Sequence, residues 1–141
     1  MIKGKQSIAF KASPYIEESA SVVGKKEGEG PLGSRFDMVG LDDMFGEDTW
    51  EKAESSMQKE ACQLALGKAH LTAGAIRYLF GGDLLRQGVA TSLGVEQLQI
   101  PMFGLYGACS TSGEALALAS MCVAAGYGEP NSSQSSATFS T

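Results

Sequence analysis

Soft metal ligands are scarce in this chain: of 141 residues, 1 is histidine, His70, and 3 are cysteines. Cys62, Cys109 and Cys122 are odd in number and no pair has Cys-x-x-Cys spacing. That excludes a zinc site built by this chain alone and argues against a disulfide framework, so a reducing compartment fits. Positive charge is also short. Lys and Arg number 11 against 16 Asp and Glu, a formal net charge of −5 with a pI of about 4.8. Nucleic acid is therefore excluded as a partner, and so is a polybasic membrane anchor. No apolar run reaches the roughly 20 residues that a spanning helix needs. The basic start, Met1 to Gln6, leads only into Ser7-Ile-Ala-Phe10, too short for a signal-peptide core. The composition reads as a soluble protein made in the cytoplasm.

What is present is glycine, 18 residues, within a chain that is 43% hydrophobic. That suffices for one domain burying on the order of two thirds of its unfolded surface. Ser7–Phe10 and Ser19–Gly24 are β-prone pieces separated by Pro14, and Lys25–Ser34 is a glycine-proline surface loop outside regular structure. Asp48 or Thr49 can cap a helix running to about Lys68, with Glu51 in its first turn. Trp50, Ala53, Met57, Ala61, Leu64 and Ala65 would form its core face, and Lys52, Glu54, Gln58 and Lys59 its solvent face. Cys62 and Cys122 fit as small core residues, and His70 as an exposed residue past the helix end. Tyr78–Asp83 reads as a buried strand, Leu84–Leu98 as a broken helix, and Pro101–Tyr106 as a further strand. A helix from Cys109 to about Gly126 closes the series. Strands separated by such helices imply an α/β fold with a mostly parallel sheet.

The segment Gly107-Ala-Cys-Ser-Thr-Ser-Gly-Glu114 concentrates the chemistry. Cys109 stands at a strand-to-helix elbow, where helix N–H groups stabilise negative charge. The site can make a nucleophilic thiolate or receive a ligand carboxylate. Ser110, Thr111 and Ser112 add hydroxyls there, which also serve as ordinary helix caps. Small residues such as Ala115, Ala117 and Ala119 let the following helix be buried on most sides. Asp83 has two readings, a turn residue starting the next helix or a pocket residue at a strand's carboxyl end. Arg86 is a possible cation for an anionic ligand, or a surface arginine.

The elbow Gly107–Ser112 resembles that of the thiolase and β-ketoacyl-synthase superfamily. The wider pattern resembles its stage V sporulation protein AD branch: Gly4-Lys-Gln6, Gly30-Pro-Leu-Gly33 with Phe36-Asp37, Trp50–Glu54, Gly82-Asp83-Leu-Leu with Gln87, Ile100-Pro101, and Leu105–Glu114. The resemblance implies one half of a thiolase-like fold, a layered α-β-α arrangement with a mixed, mostly parallel sheet and a buried helix after Cys109. Residues 1–129 would form that half-domain, and residues 130–141 a polar, disordered tail. It further implies a binding protein for dipicolinic acid, with or without calcium, acting with the membrane proteins of the SpoVA channel complex at the spore inner membrane. Cys109, Ser110, Thr111 and Asp83 become the ligand-binding candidates, with no cofactor and no metal site of the protein's own. The full-length form would be a homodimer. Without the second half, one pocket wall is missing and the chain is expected to aggregate or need a partner. The alternative is acyl transfer through a Cys109 thioester, but the histidines or asparagine that serve this cysteine in the superfamily belong to that second half.

Overall fold

The computed structural model describes residues 1–127 and 135–138. Two short strands, β1 (Ile2–Lys3) and β2 (Ser7–Ile8), pair antiparallel around a turn at Gly4, whose φ of +71° suits glycine. Next come β3 (Val22–Val23), α1 (Lys25–Gly28) and β4 (Met38–Val39), with β3 and β4 parallel. The segment expected to be loop therefore contains a helical turn, and a second, 3-10 turn covers Gly33–Arg35. Side-chain capping makes the first turn possible, because Asp43 Oδ1 accepts from the Lys26 N–H at 2.9 Å. Bare glycine makes it compact: a Cβ on Gly28 would overlap the Val39 side chain.

Helix α2 (Trp50–Lys68) starts where its cap predicts, with the Thr49 hydroxyl accepting from the Lys52 N–H at 3.3 Å. Its expected faces need correction. Trp50 is exposed, while Gln58, assigned to solvent, is buried with Ala53 and Cys62. The cause is α3 (Val89–Val95), which approaches α2 backbone to backbone. A Cβ on Gly94 would stand 2.6 Å from the Ser55 carbonyl oxygen, and the Ser55 hydroxyl donates to the Ala90 carbonyl at 2.8 Å. That contact rolls the side carrying Ser55, Gln58 and Cys62 inward. At the other end, Lys68 Nζ reaches the Ser19 carbonyl (2.6 Å) and Asp37 Oδ1 (3.0 Å), while the Ser21 N–H donates to Asp37 Oδ2 at 2.8 Å. Lys68 first, then Ser21, holds the Asp37 carboxyl below its ordinary range, and the small β3–β4 sheet is tied to α2.

The central sheet has the order β6-β5-β7, all parallel, with β5 at Ile76–Gly81, β6 at Met102–Gly104 and β7 at Ser135–Thr138. Strand alternation sends the fully buried Leu79 and Phe80 to opposite faces. Leu79 meets Cys62 and Val95, with Leu98, Ile100 and Met102 around them. Phe80 meets Ala115 and Ala119 of α4 (Thr111–Ala124), with Tyr78, Leu105 and Cys122 packed alongside. Helices thus cover both faces of a parallel sheet, and the α/β layering read from the sequence is observed. Burial pushes the Cys62 thiol up to about 12, as befits a core residue.

Two further expectations differ from the observed fold. Residues 135–138 form β7, although their polar composition reads as disordered. The open edge of β5 offers a ready row of backbone partners, and such context overrides composition in strands. The rest of that tail, 130–134 and 139–141, lies outside the described residues. Helix α4 is also less buried than its small residues suggest: Thr111, Ala115 and Ala119 face the sheet, while Leu116, Leu118, Met121 and Val123 are exposed. Only one layer packs against it among the described residues.

Candidate functional site

Strands β5 and β6 end side by side, and the loops leaving them meet. The Leu105 N–H donates to the Gly81 carbonyl at 2.8 Å, one step past the last ladder pair. Gly82 then passes so close that a Cβ there would overlap the Leu105 carbonyl and lie 2.8 Å from Thr111 Cγ2. Glycine at 82 is what allows the exit of β5 to lie against the start of α4.

The elbow itself is a tight turn. Ala108 takes a φ of +50°, a strained conformation for a residue with a Cβ, and Ala108–Ser110 form a 3-10 turn leading into α4. Thr111 is buried, and its Oγ1 accepts from the Gly107 N–H at 3.0 Å, closing the turn from inside. Ser110 is exposed, with its hydroxyl 2.7 Å from the Gly107 carbonyl and 2.6 Å from Glu114 Oε1. A hydroxyl has one proton, so these two acceptors share it. Gly107 has no side chain where Glu114 and Ser110 come together, and a Cβ would overlap both. Cys109 is exposed at the outside of the turn and carries no disulfide. The result is a thiol, a hydroxyl and a carboxylate at the open start of a 14-residue helix.

Asp83 is placed very differently. It is 1% exposed. Its Oδ1 accepts from the backbone N–H groups of Arg86 (3.2 Å) and Gly88 (3.0 Å), and its Oδ2 from the N–H and hydroxyl of Thr91 (3.0 and 2.9 Å). Burial pushes its carboxyl up, but the Thr91 and Gly88 N–H groups, the Thr91 hydroxyl and the Arg86 N–H outweigh it, so the net shift is downward. The carboxylate is spent on shaping the Leu84–Gly88 turn and starting α3. Arg86 is also engaged, its Nε lying 2.9 Å from Glu51 Oε1.

The structure therefore groups Cys109, Ser110 and Thr111 on one turn and brings Asp83 beside them through Gly82, with its carboxylate directed to α3. Sequence reasoning missed Thr91, the partner that saturates Asp83, and Glu114, the carboxylate that stands at the elbow. The one-turn spacing of Ser110 and Glu114 signals the second pair. No short-range pattern signals the first. Among the described residues, no group of three or more His, Cys, Asp or Glu side chains converges to hold a metal ion.

The profile of the family described as Stage V sporulation protein AD matches residues 4–141. The chain belongs to that family. It is 39% identical over 127 residues to Stage V sporulation protein AD of Bacillus subtilis (strain 168), an alignment covering 89% of this chain and 37% of the relative. The chain thus spans less than two fifths of that relative's length. The family places it among sporulation proteins, and the matched region contains the whole β5-to-α4 elbow.

Proposed function

We propose that the elbow of α4 is a binding site for dipicolinate, and that the chain serves sporulation as a ligand-binding protein rather than an enzyme. The observation that carries this reading is the exposed turn of Cys109 and Ser110 at the start of α4, in a member of the sporulation family. A planar dicarboxylate suits a helix start, where the exposed Ser110 hydroxyl would turn its proton from Glu114 or the Gly107 carbonyl to a bound carboxylate. Thr111 fixes that turn from within, and Asp83 supports it through the Gly82 contact.

Glu114 bears on the form of the ligand. Its carboxylate sits against Ser110, where a bare dianion would meet like charge. Calcium relieves the conflict, because a hard cation takes carboxylate oxygens from both the ligand and Glu114. The reading is therefore of a calcium-dipicolinate site, in a protein that works with the SpoVA membrane proteins at the spore inner membrane and is a homodimer at full length.

Calorimetric titration of dipicolinate, with and without calcium, into this chain and into the full-length relative tests the reading. Calcium-dependent heat that Glu114→Gln abolishes is the expected result; heat that is absent from both proteins overturns it. Acyl transfer through Cys109 is the second reading, favoured by the strained Ala108 turn that holds the thiol outward. It predicts an acyl adduct by mass spectrometry after incubation with acyl-CoA, absent in Cys109→Ser.

A further inference from the structure

Tyr106 stands at the entrance to the elbow, between β6 and the Gly107–Ser110 turn. Its side chain is 52% exposed and makes no ring contact among the described residues. The backbone on either side of it is fixed. Before it, the Gly81 carbonyl holds the Leu105 N–H at 2.8 Å, and the Leu105 side chain packs with Phe80 and Ala115. After it, Thr111 Oγ1 holds the Gly107 N–H at 3.0 Å, and the Gly107 carbonyl accepts from the Ser110 N–H at 3.0 Å. A large apolar ring gains stability by leaving water, and this clamped segment keeps half of it in water. The ring also stands next to the polar groups of the turn. The Ser110 hydroxyl and the Glu114 carboxylate meet where a Gly107 Cβ would lie, and the Tyr106 Cα is about 3.8 Å from the Gly107 Cα across the peptide. A thiol, a hydroxyl, a carboxylate and one aromatic face therefore share a single short segment.

We infer that Tyr106 is the specificity-determining residue of the elbow. Its ring face takes the flat ring of an aromatic dicarboxylate, while the carboxylates go to Ser110 and to the cation at Glu114. The inference rests on the reading of the elbow as a dicarboxylate site, and adds to it how one acid is chosen over another. Carboxylate contacts alone do not separate a flat ring from a puckered one of the same carboxylate spacing, because both present the same pair of anions. An aromatic face does separate them, since offset stacking needs a planar partner. Tyrosine suits this task on a clamped backbone: it offers a broad face and has only two side-chain torsions to fix on binding.

Calorimetric titration of the full chain at fixed calcium tests this with two acids. Benzene-1,3-dicarboxylate is compared with cis-cyclohexane-1,3-dicarboxylate, which keeps a similar carboxylate spacing and loses the flat ring. The native chain should bind the aromatic acid roughly tenfold more tightly, the scale of a ring stacked on an aromatic side chain. Tyr106→Phe should keep that ratio, because the ring and not the hydroxyl makes the contact. Tyr106→Leu should bring the ratio to within about twofold of unity while the saturated acid binds as before. Equal affinities for the two acids in the native chain overturn the inference and leave the elbow reading standing, since both acids then bind. A ratio that survives in Tyr106→Leu overturns it in the same way. No heat from either acid or from dipicolinate overturns the elbow reading and the inference together. The native-chain ratio needs no substitution, so the test holds even where a variant fails to fold.

Discussion

Two strands end at the same edge of the central sheet, and they end in opposite ways. At the exit of β5, Asp83 is buried with three backbone N–H groups and a hydroxyl on its two oxygens. At the exit of β6, Cys109 and Ser110 are exposed on a strained turn, with Glu114 as the carboxylate nearby. Asp83 lies just past the end of β5 at Gly81 and Cys109 in the loop that leaves β6 at Gly104, and both qualify on position as pocket residues. What separates them is saturation. A carboxylate with every acceptor direction filled has nothing left to offer a ligand, whereas an open turn at a helix start does.

The largest expected effect lies on the closed side. Asp83→Ala removes the acceptor for four donors, two of them on the buried Thr91, and should cost about 3–4 kcal/mol in denaturant unfolding, since a bond to a charged group is worth about 1.5–3 kcal/mol and the Thr91 donors are left stranded. The pH dependence follows from the lowered carboxyl. A carboxylate held below its unfolded value contributes stability that is complete above that value, about 4, and is lost as pH falls through the folded value. The stability gap between the native chain and Asp83→Asn should therefore narrow on acidification below about pH 4. A gap that stays constant down to about pH 2 would contradict the assignment.

Gly82→Ala probes the seam between the two sides. Its Cβ would overlap the Leu105 carbonyl, which is backbone and has little room to yield. A loss of about 2–3 kcal/mol is expected, as for overpacking in a core. Because the same change pushes on Thr111, any ligand heat at the elbow should weaken with it. Ligand binding that survives while stability drops would show that the two strand ends are energetically separate.

Much of this layout is legible in the sequence, and the reasons are local. Thr49, Glu51 and the run to Lys68 announce α2 because caps and dipole charges act within one turn. The elbow is legible for the same reason: glycine, a short apolar run and small residues sit contiguously. The inward roll of α2 is not legible, because it depends on Gly94 touching Ser55 from a distant part of the chain. The Asp83–Thr91 bond and the strand at 135–138 are equally non-local: one needs α3 folded back, the other the free edge of β5. The exposure of α4 is hidden too, since small residues fit a helix buried on all sides as well as one that turns Leu116, Met121 and Val123 outward.

Gln58 tests whether saturation, rather than burial, is the deciding property. It is 2% exposed, as buried as Asp83, yet neither its amide nitrogen nor its oxygen has a hydrogen-bond partner among the described residues. Gln58→Met keeps the length of the side chain and removes the unpaired polar atoms. It should stabilise the chain by about 1–2 kcal/mol, the reverse of Asp83→Ala. A destabilisation of similar size in thermal unfolding would mean that Gln58 is bonded to ordered water, and the contrast with Asp83 would lose its sharpest point.

The smallest expected effect is on the open side, and it completes the comparison. Cys109 is exposed on the outside of its turn, so Cys109→Ser should change folding stability by less than about 0.5 kcal/mol, the range of surface substitutions. The conservative change also separates the two readings of the elbow. Serine retains a small polar group beside the helix start, so a binding site for an anion should keep its affinity within a few-fold. Thioester chemistry should vanish, since sulfur is the atom acylated. Measured together, a stability near that of the native chain with calcium-dipicolinate heat retained marks a turn that is held rigid by Thr111 and left open for a ligand. A large loss of stability would instead show that Cys109 packs into the fold as Asp83 does.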